Sequence, residues 1–102
     1  MIVPIRHVGQ IEKLNPSESV EFFKLTQKTA AILKKVLKPH SLNLGMNLGK
    51  ASGAGIPGHL HMHIVPRWIG DTNFMPVIGQ TKVISISLDG VYDRLKKEFD
   101  KL

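Results

Sequence analysis

Three of the five histidines in this 102-residue chain occupy alternate positions in the segment GHLHMHIVPRW, residues 58–68. A spacing of two is the side-chain period of a β-strand, in which neighbouring side chains point to opposite faces. The pattern therefore predicts that His59, His61 and His63 share one face of a strand and that apolar side chains cover the other. A neutral imidazole can attack phosphorus, transfer a proton or ligate a metal, so this face is the first candidate for chemistry.

The residue types alone leave four interpretations of this histidine face open. It lines a half-exposed sheet without any chemistry, or it binds a nucleotide without turnover. Alternatively, two neighbouring histidines hold zinc or copper, although the chain has no cysteine and no carboxylate beside them to complete the site. In the fourth interpretation the face is catalytic. His61 is then the best nucleophile, because His59 and His63 on either side can supply hydrogen-bond donors and a proton.

Two further segments are predicted to position the histidine strand. The stretch LNLGMNL, residues 42–48, alternates apolar with small or polar side chains, as a half-buried strand does. The stretch GKASGAGIPG, residues 49–58, contains four glycines and a proline and is predicted to be a loop. This arrangement favours an antiparallel pair of strands, with Asn43, Asn47 and the histidines on one face. Glycine amides of the loop, together with Lys50, can then bind an anion.

Helices are predicted on both sides of the strand pair. Asn15 is the expected N-cap of the first, with Pro16 at the first helical position and Glu18 three residues after the cap. Apolar residues at helical spacing follow, and Pro39 ends this helix. A second helical stripe occupies the C-terminal end, and MIVPI at the start is predicted to be a strand. The order strand, helix, strand, strand, loop and helix is that of an α+β fold, with residues 1–102 as a single domain.

The composition limits the classes of partner. Fourteen Lys and Arg against eight Asp and Glu give a net charge of +6, which favours an anionic ligand. Many of the lysines lie in the predicted helices, so no specific nucleic-acid partner is expected. No apolar run approaches the ~20 residues that span a bilayer, and the start lacks the features of a signal peptide. We therefore expect no membrane association and a cytoplasmic location.

The segment HLHMHIV resembles the signature of the histidine triad (HIT) family, His-X-His-X-His-X-X with apolar X. The resemblance extends to VPIRHV near the start and to NLGMNLGKASGAG before the triad. VPRWIGDTNFMPVIGQTK, after the triad, is similar to a microbial branch that contains diadenosine polyphosphate phosphorylases and hydrolases. The resemblance covers residues 1–99. It implies a homodimer and a HIT-like antiparallel sheet, with a long helix after the first strand and a C-terminal helix.

The resemblance also assigns roles to individual positions. It implies that His61 is the nucleophile that takes a nucleoside monophosphoryl group, and that His59 and His63 bind phosphate and organise the site. Further residues match substrate-binding positions of the family; these are His7, Asn47, Lys50, Gly53, Gly55 and Asn73. No cofactor is required for this chemistry and no metal ligand is assigned. A divalent ion on the substrate phosphates, or adventitious zinc, is compatible with it.

Two departures from the family pattern shape the expected reaction. Family members carry a further N-terminal segment that supplies much of the nucleoside pocket, whereas this chain begins at MIVPI and resembles an N-terminally truncated form. Several hydrolase branches have a glutamine and a hydroxyl residue just before the triad, where this chain has GAGIPG. We therefore expect a phosphorylase, which cleaves dinucleoside polyphosphates through a covalent nucleotidyl-histidine and transfers the nucleotide to inorganic phosphate. The alternatives are transfer to water and a non-catalytic nucleotide- or metal-binding module.

Overall fold

The computed structural model of the chain describes residues 1–54, 58–71 and 88–102. Its helices and strands are α1 (Pro16–Leu37), β1 (Ser41–Gly45), β2 (His63–Arg67) and α2 (Leu88–Phe99), with short 3-10 turns at Ile11–Lys13 and Lys50–Ser52. Two of the predicted substrate-binding residues, Gly55 and Asn73, lie outside the described residues. None of the helices in these ranges is long and apolar enough to cross a membrane.

Helix α1 begins with the predicted capping arrangement. The Oδ1 atom of Asn15 accepts a hydrogen bond from the backbone N–H of Glu18 at 2.8 Å, and the Glu18 carboxylate accepts one from the Asn15 N–H at 2.9 Å. Arg6 donates to both carboxylate oxygens of Glu18, at 3.0 and 2.8 Å. Hydrogen bonds from Arg6 and from the Asn15 amide lower the pKa of Glu18 to about 2. One carboxylate therefore caps the helix and holds the segment that carries His7.

We expect Asn15→Ala to lower the free energy of unfolding by about 1 kcal/mol, because the Glu18 N–H then loses its capping acceptor. Urea denaturation followed by circular dichroism measures the change. Ser17→Ala, an exposed position in the same first turn, is the matched control and should change the free energy by less than about 0.5 kcal/mol. Equal stability of the Asn15→Ala variant and the wild type would contradict this role of the cap.

Helix α1 ends next to Pro39, as the sequence predicts. Lys38 adopts a left-handed conformation with φ 49°, and its N–H donates to the carbonyl four residues earlier. Arg94 of α2 donates to the carbonyl oxygen of Val36 at 2.9 Å. A side chain of the second helix thus satisfies one of the unpaired carbonyls at the end of the first.

Strands β1 and β2 form the predicted antiparallel pair. Gly45 lies opposite His63 and Asn43 lies opposite Val65, so all four side-chain positions are on one face of the sheet. Ile64 and the leucines of β1 occupy the other face. The prediction that an asparagine of β1 shares a face with the triad is therefore correct for Asn43 and His63.

The two strands are shorter than the alternation predicts. β1 ends at Gly45 rather than at residue 48, and β2 begins at His63, so that His59 and His61 precede the strand. The reason is a change of partner: the backbone N–H groups of residues 60 and 62 donate to carbonyls of the N-terminal segment and not to β1. Two of the three histidines therefore lie where the chain passes from one backbone neighbour to another.

The N-terminal stretch MIVPI does not form the predicted strand. Among the described residues, Ile2 is the single position of this stretch that pairs as in a sheet, with Met62, through reciprocal hydrogen bonds of 2.9 and 2.8 Å. Pro4 has no N–H to extend a ladder, which limits the pairing to this single bridge. A second contact follows at Val8, whose carbonyl accepts from the N–H of Leu60 at 2.8 Å.

The buried core lies between α1 and the apolar side of the N-terminal and histidine segments. Its most buried apolar side chains come from three parts of the chain and are Ile2, Val8, Ile32, Leu33, Val36 and Leu60. Thr26 of α1 is buried as well, and its hydroxyl donates to the Phe22 carbonyl at 2.9 Å, so its burial carries no unsatisfied donor. Leu60, which is 3% exposed, anchors the histidine segment from its apolar side.

Candidate active site

His61 is held by the backbone of its own segment. Its Nδ1 atom lies 3.1 Å from the carbonyl oxygen of His59. Because a carbonyl oxygen only accepts, Nδ1 carries the hydrogen and Nε2 keeps its lone pair. This tautomer is the one that a nucleophilic imidazole requires.

His59 and His7 form the end of the site nearer the N-terminal segment. The Nε2 atom of His59 donates to the carbonyl oxygen of Pro4 at 2.8 Å, which fixes the orientation of that ring. The ring of His7 packs against it, with centroids 5.1 Å apart and planes at 57°. A Cβ atom on Gly58 would lie 3.4 Å from Nε2 of His7, so the backbone at Gly58 adjoins this ring. The structure thus brings His7 to the triad, as its predicted role requires.

His63 forms the other end of the triad, on β2. Its ring meets that of His61 edge to face, with centroids 4.9 Å apart and planes at 80°. Burial, and secondarily the proximity of His61, lower the pKa of His63 below its ordinary value. The lowered pKa favours the neutral form of the His63 ring beside His61. Within the described ranges, no three histidine or carboxylate side chains are grouped as ligands for a metal ion.

We expect His63 to titrate below the ordinary histidine pKa of about 6.5. Since the pKa is lower in the folded than in the unfolded chain, the unfolded chain takes up the proton first. The neutral His63 ring therefore leaves the free energy of unfolding at its full value above about pH 6.5. As the pH falls from there through the folded-state pKa, the free energy of unfolding declines. NMR titration of the ring protons measures the pKa, and urea denaturation at several pH values measures the stability. His63→Asn should show a weaker dependence, and a His63 ring that titrates above the ordinary value would contradict the prediction.

The predicted substrate-binding residues Asn47, Lys50 and Gly53 lie together in the turn after β1. Gly49 and Gly53 have φ values of 78° and 92°, which glycine adopts without the strain of a side chain. A Cβ atom on Gly53 would lie 4.0 Å from the amide nitrogen of Asn47, so the turn folds back on that side chain. Lys50 is exposed. Across the described residues, no hydrogen bond joins these three to the histidines, so the structure groups them as a turn but not with the triad.

A cavity of about 620 Å³ opens beside His7, between the N-terminal segment and the turn after β1. Arg6, Lys13, Gly49 and Gly58 are among its lining residues. The cavity is lined both by the turn after β1 and by His7, which packs against His59 of the triad. The turn itself makes no hydrogen bond with the histidines among the described residues. An anionic group of a ligand has room there.

The histidine segment and the segments around it match a known protein family. A family model described as the HIT domain matches residues 1–68, which contain the whole triad and His7. The chain belongs to the HIT domain family. The resemblance indicated by the histidine spacing is thereby confirmed, and the match ends just after β2 of this HIT domain.

Two curated relatives resemble this HIT domain over most of its length. AP-4-A phosphorylase of Mycobacterium tuberculosis is 48% identical over 84 residues, which are 82% of this chain and 43% of that protein. The asymmetrical bis(5'-nucleosyl)-tetraphosphatase of Schizosaccharomyces pombe is 33% identical over 67 residues, which are 66% of this chain and 36% of that protein. This HIT domain thus spans less than half the length of these two relatives.

Among solved structures, a hypothetical histidine triad nucleotide-binding protein from Sulfolobus tokodaii is similar in fold to this chain. It superimposes with a TM-score of 0.74 at 22% identity, over 98% of this chain and 68% of that chain. At this level of identity the likeness concerns the fold. The predicted α+β class and HIT-like arrangement are therefore confirmed.

The HIT domain also carries a polar cluster that the histidine spacing does not predict. Arg67, at the end of β2, forms an ion pair of 2.7 Å with Asp71 and donates to the Asn43 side chain at 2.6 Å. The sequence signal for this cluster is the pair of opposite charges four residues apart in PRWIGD, directly after the triad. For Asn43, the sequence signal is limited to its polar position in the alternating pattern of β1.

Proposed function

We propose that this HIT domain cleaves dinucleoside polyphosphates by transferring a nucleoside monophosphoryl group first to Nε2 of His61 and then to inorganic phosphate. The observation that carries the proposal is the hydrogen bond from Nδ1 of His61 to the His59 carbonyl, which directs the lone pair to Nε2. The similarity to AP-4-A phosphorylase supports the choice of substrate class.

In the first step Nε2 of His61 attacks the α-phosphorus. A P–N bond forms, the P–O bond to the rest of the polyphosphate breaks, and the leaving group departs with that electron pair. The imidazole becomes positively charged while Nδ1 keeps its hydrogen. The His59 carbonyl, 3.1 Å from Nδ1, accepts a stronger hydrogen bond from this cation than from the neutral ring. The lowered pKa of His63 favours its neutral form, which reduces repulsion with the His61 cation beside it.

In the second step an oxygen of inorganic phosphate attacks the same phosphorus. The P–N bond breaks, its electron pair returns to Nε2, and a nucleoside diphosphate is released. A phosphate dianion needs mainly a place to bind, whereas water needs a general base. The net charge of +6 favours an anionic acceptor. In the lining of the cavity beside His7, Arg6 is already paired with Glu18 and Glu12 is acidic, so Lys13 is the cation offered here to such an acceptor.

Transfer to water is the second candidate. The observation that favours it is the 33% identity to an asymmetrical bis(5'-nucleosyl)-tetraphosphatase. Hydrolysis uses the same first step and differs only in the acceptor. Homodimer formation stays a prediction in either case.

The acceptor is identified by the products. We expect diadenosine tetraphosphate and inorganic phosphate to give ADP and ATP, because the adenylyl group on His61 is transferred to phosphate. Anion-exchange chromatography separates the nucleotides, and the rate should rise with phosphate concentration. AMP and ATP at a rate independent of phosphate would instead identify a hydrolase. Nucleotide binding without turnover under either condition would identify a binding module.

A further inference from the structure

The end of β2 carries an ion pair that is more deeply placed than the other pairs of the described chain. Arg67 donates through Nε and Nη2 to the two carboxylate oxygens of Asp71, at 2.9 and 2.7 Å. The two side chains are only 21% and 12% exposed. A bidentate pair with two separate N–H to oxygen bonds fixes the plane of the guanidinium group as well as its position.

The backbone of the turn also holds Asp71 in place. The N–H of Trp68 donates to a carboxylate oxygen of Asp71 at 3.0 Å, and the N–H of Asp71 donates to the Trp68 carbonyl at 3.0 Å. The turn that leaves β2 is therefore closed on itself. Since Arg67 and His63 are four residues apart on one strand, the guanidinium is fixed on the face that carries His63.

The fixed guanidinium sets the orientation of a third side chain. Nη1 of Arg67 donates to Oδ1 of Asn43 at 2.6 Å. A guanidinium has donors only, so Asn43 must turn its oxygen toward Arg67 and its Nδ2 group, with two N–H donors, away from it. No acceptor for Nδ2 is found in the part of the chain that the structure describes, and Asn43 is exposed.

These donors lie on the histidine face. Asn43 is opposite Val65, and Gly45 is opposite His63, so Asn43 and His63 are diagonal neighbours at about 7–8 Å. A ligand that lies on the histidine face beside His63 therefore has Asn43 as a diagonal neighbour.

We propose that Asn43 contacts the substrate: its Nδ2 group donates to an oxygen of the dinucleoside polyphosphate, either a phosphate oxygen or a ribose hydroxyl. Arg67 and Asp71 are positioning residues that present this donor. The inference rests on the proposed function for its substrate class. It adds a contact at the His63 end of the triad, opposite the end formed by His7.

The variants Asn43→Ala and Asn43→Asp distinguish a substrate contact from a structural link. Loss of one hydrogen bond to the substrate in Asn43→Ala should raise KM roughly tenfold with kcat nearly unchanged. In Asn43→Asp the carboxylate still accepts from Arg67, so a purely structural role predicts recovery of the wild-type KM. A substrate contact predicts a KM at least as high as that of Asn43→Ala, because the donor is lost and a negative charge faces the polyphosphate.

Asp71→Asn tests the positioning role. It should raise KM by less than Asn43→Ala does, because Asn43 keeps its donors but loses its fixed orientation. Asp100→Asn is the matched control: Asp100 pairs with Lys96 at the same spacing of four residues, at 2.7 Å, but on an exposed helix end. It should leave KM unchanged. Asp71→Asn with the KM of the wild type would overturn the positioning role.

NMR of the Asn43 side-chain amide separates this inference from the proposed function. In His61→Ala, which cannot form the covalent intermediate, the amide resonances should shift on titration with diadenosine tetraphosphate. A shift with inorganic tripolyphosphate identifies a phosphate oxygen, and a shift with adenosine identifies a ribose oxygen. A shift in a domain whose wild type shows no turnover would refute the proposed function and retain the contact. No shift, with turnover that depends on His61 and a wild-type KM in Asn43→Asp, would overturn the contact alone.

Discussion

Replacing His61 by alanine should abolish nucleotidyl transfer, with kcat falling by roughly 10³-fold or more. The reason is that Nε2 of His61 is the atom to which the phosphoryl group is bonded between the two steps. His59 cannot supply its own Nε2 in its place, since that atom donates to the Pro4 carbonyl at 2.8 Å. A rapid-quench assay with diadenosine tetraphosphate measures the loss.

The same variant should fold normally. His61 is half-buried and its side-chain hydrogen bond goes to the neighbouring backbone, so alanine opens no large cavity in the core. Circular dichroism and thermal unfolding provide that control. Mass spectrometry of acid-labile adducts should find a nucleoside monophosphoryl group on the wild type and none on His61→Ala. Wild-type turnover by the variant would refute the role of His61, and loss of activity on chelation with recovery on adding zinc would favour the metal interpretation.

Leu60→Ala should have the largest effect on stability, lowering the free energy of unfolding by about 2–5 kcal/mol. Leu60 is 3% exposed and lies between His59 and His61, with its N–H bonded to the Val8 carbonyl at 2.8 Å. Alanine at this position removes the apolar contact that holds the histidine segment against the core. In a domain of about 100 residues such a loss lowers the Tm by roughly 4–8 °C for each kcal/mol.

Leu44→Ala is the matched control for this prediction. Leu44 is on the apolar face of β1 but is 50% exposed, so the same truncation should cost less than about 1 kcal/mol. Urea denaturation of both variants gives the two free energies. Equal effects at the two positions would show that the core does not anchor the triad through Leu60.

The parts of the fold that depend on neighbours in the sequence could be predicted without the structure. Asn15 and Glu18 form the expected capping box because all its partners lie within three residues, and Pro39 marks the end of α1 because its ring excludes the helical conformation before it. The period of two correctly placed His63 on one face of β2 and Ile64 on the other, and the loop between two such segments favoured an antiparallel pair. The HIT resemblance rested on this same local pattern.

Contacts between distant segments were decided by the tertiary structure. MIVPI has the composition of a strand, yet the single bridge from Ile2 to Met62 follows from where Pro4 meets the histidine segment. The tautomer of His61 depends on the direction of the His59 carbonyl, which in turn depends on which segment residue 60 pairs with. The backbone pairing between distant segments sets which hydrogen bonds the histidines make and which of their rings are in contact. These features cannot be predicted from residue types and spacing.

The hydrogen bonds of the polar cluster at the end of β2 could not be predicted from the sequence either. The opposite charges of Arg67 and Asp71 are visible in PRWIGD, but their bidentate geometry requires the turn closed by Trp68. Asn43 enters only through the register, which sets Ser41 opposite Arg67 and so brings β1 within reach of the guanidinium. The sequence by itself determined the histidine pattern and the family to which the chain belongs. The register and the turn decided which further donors share the face of His63, because both depend on contacts between residues far apart in the chain.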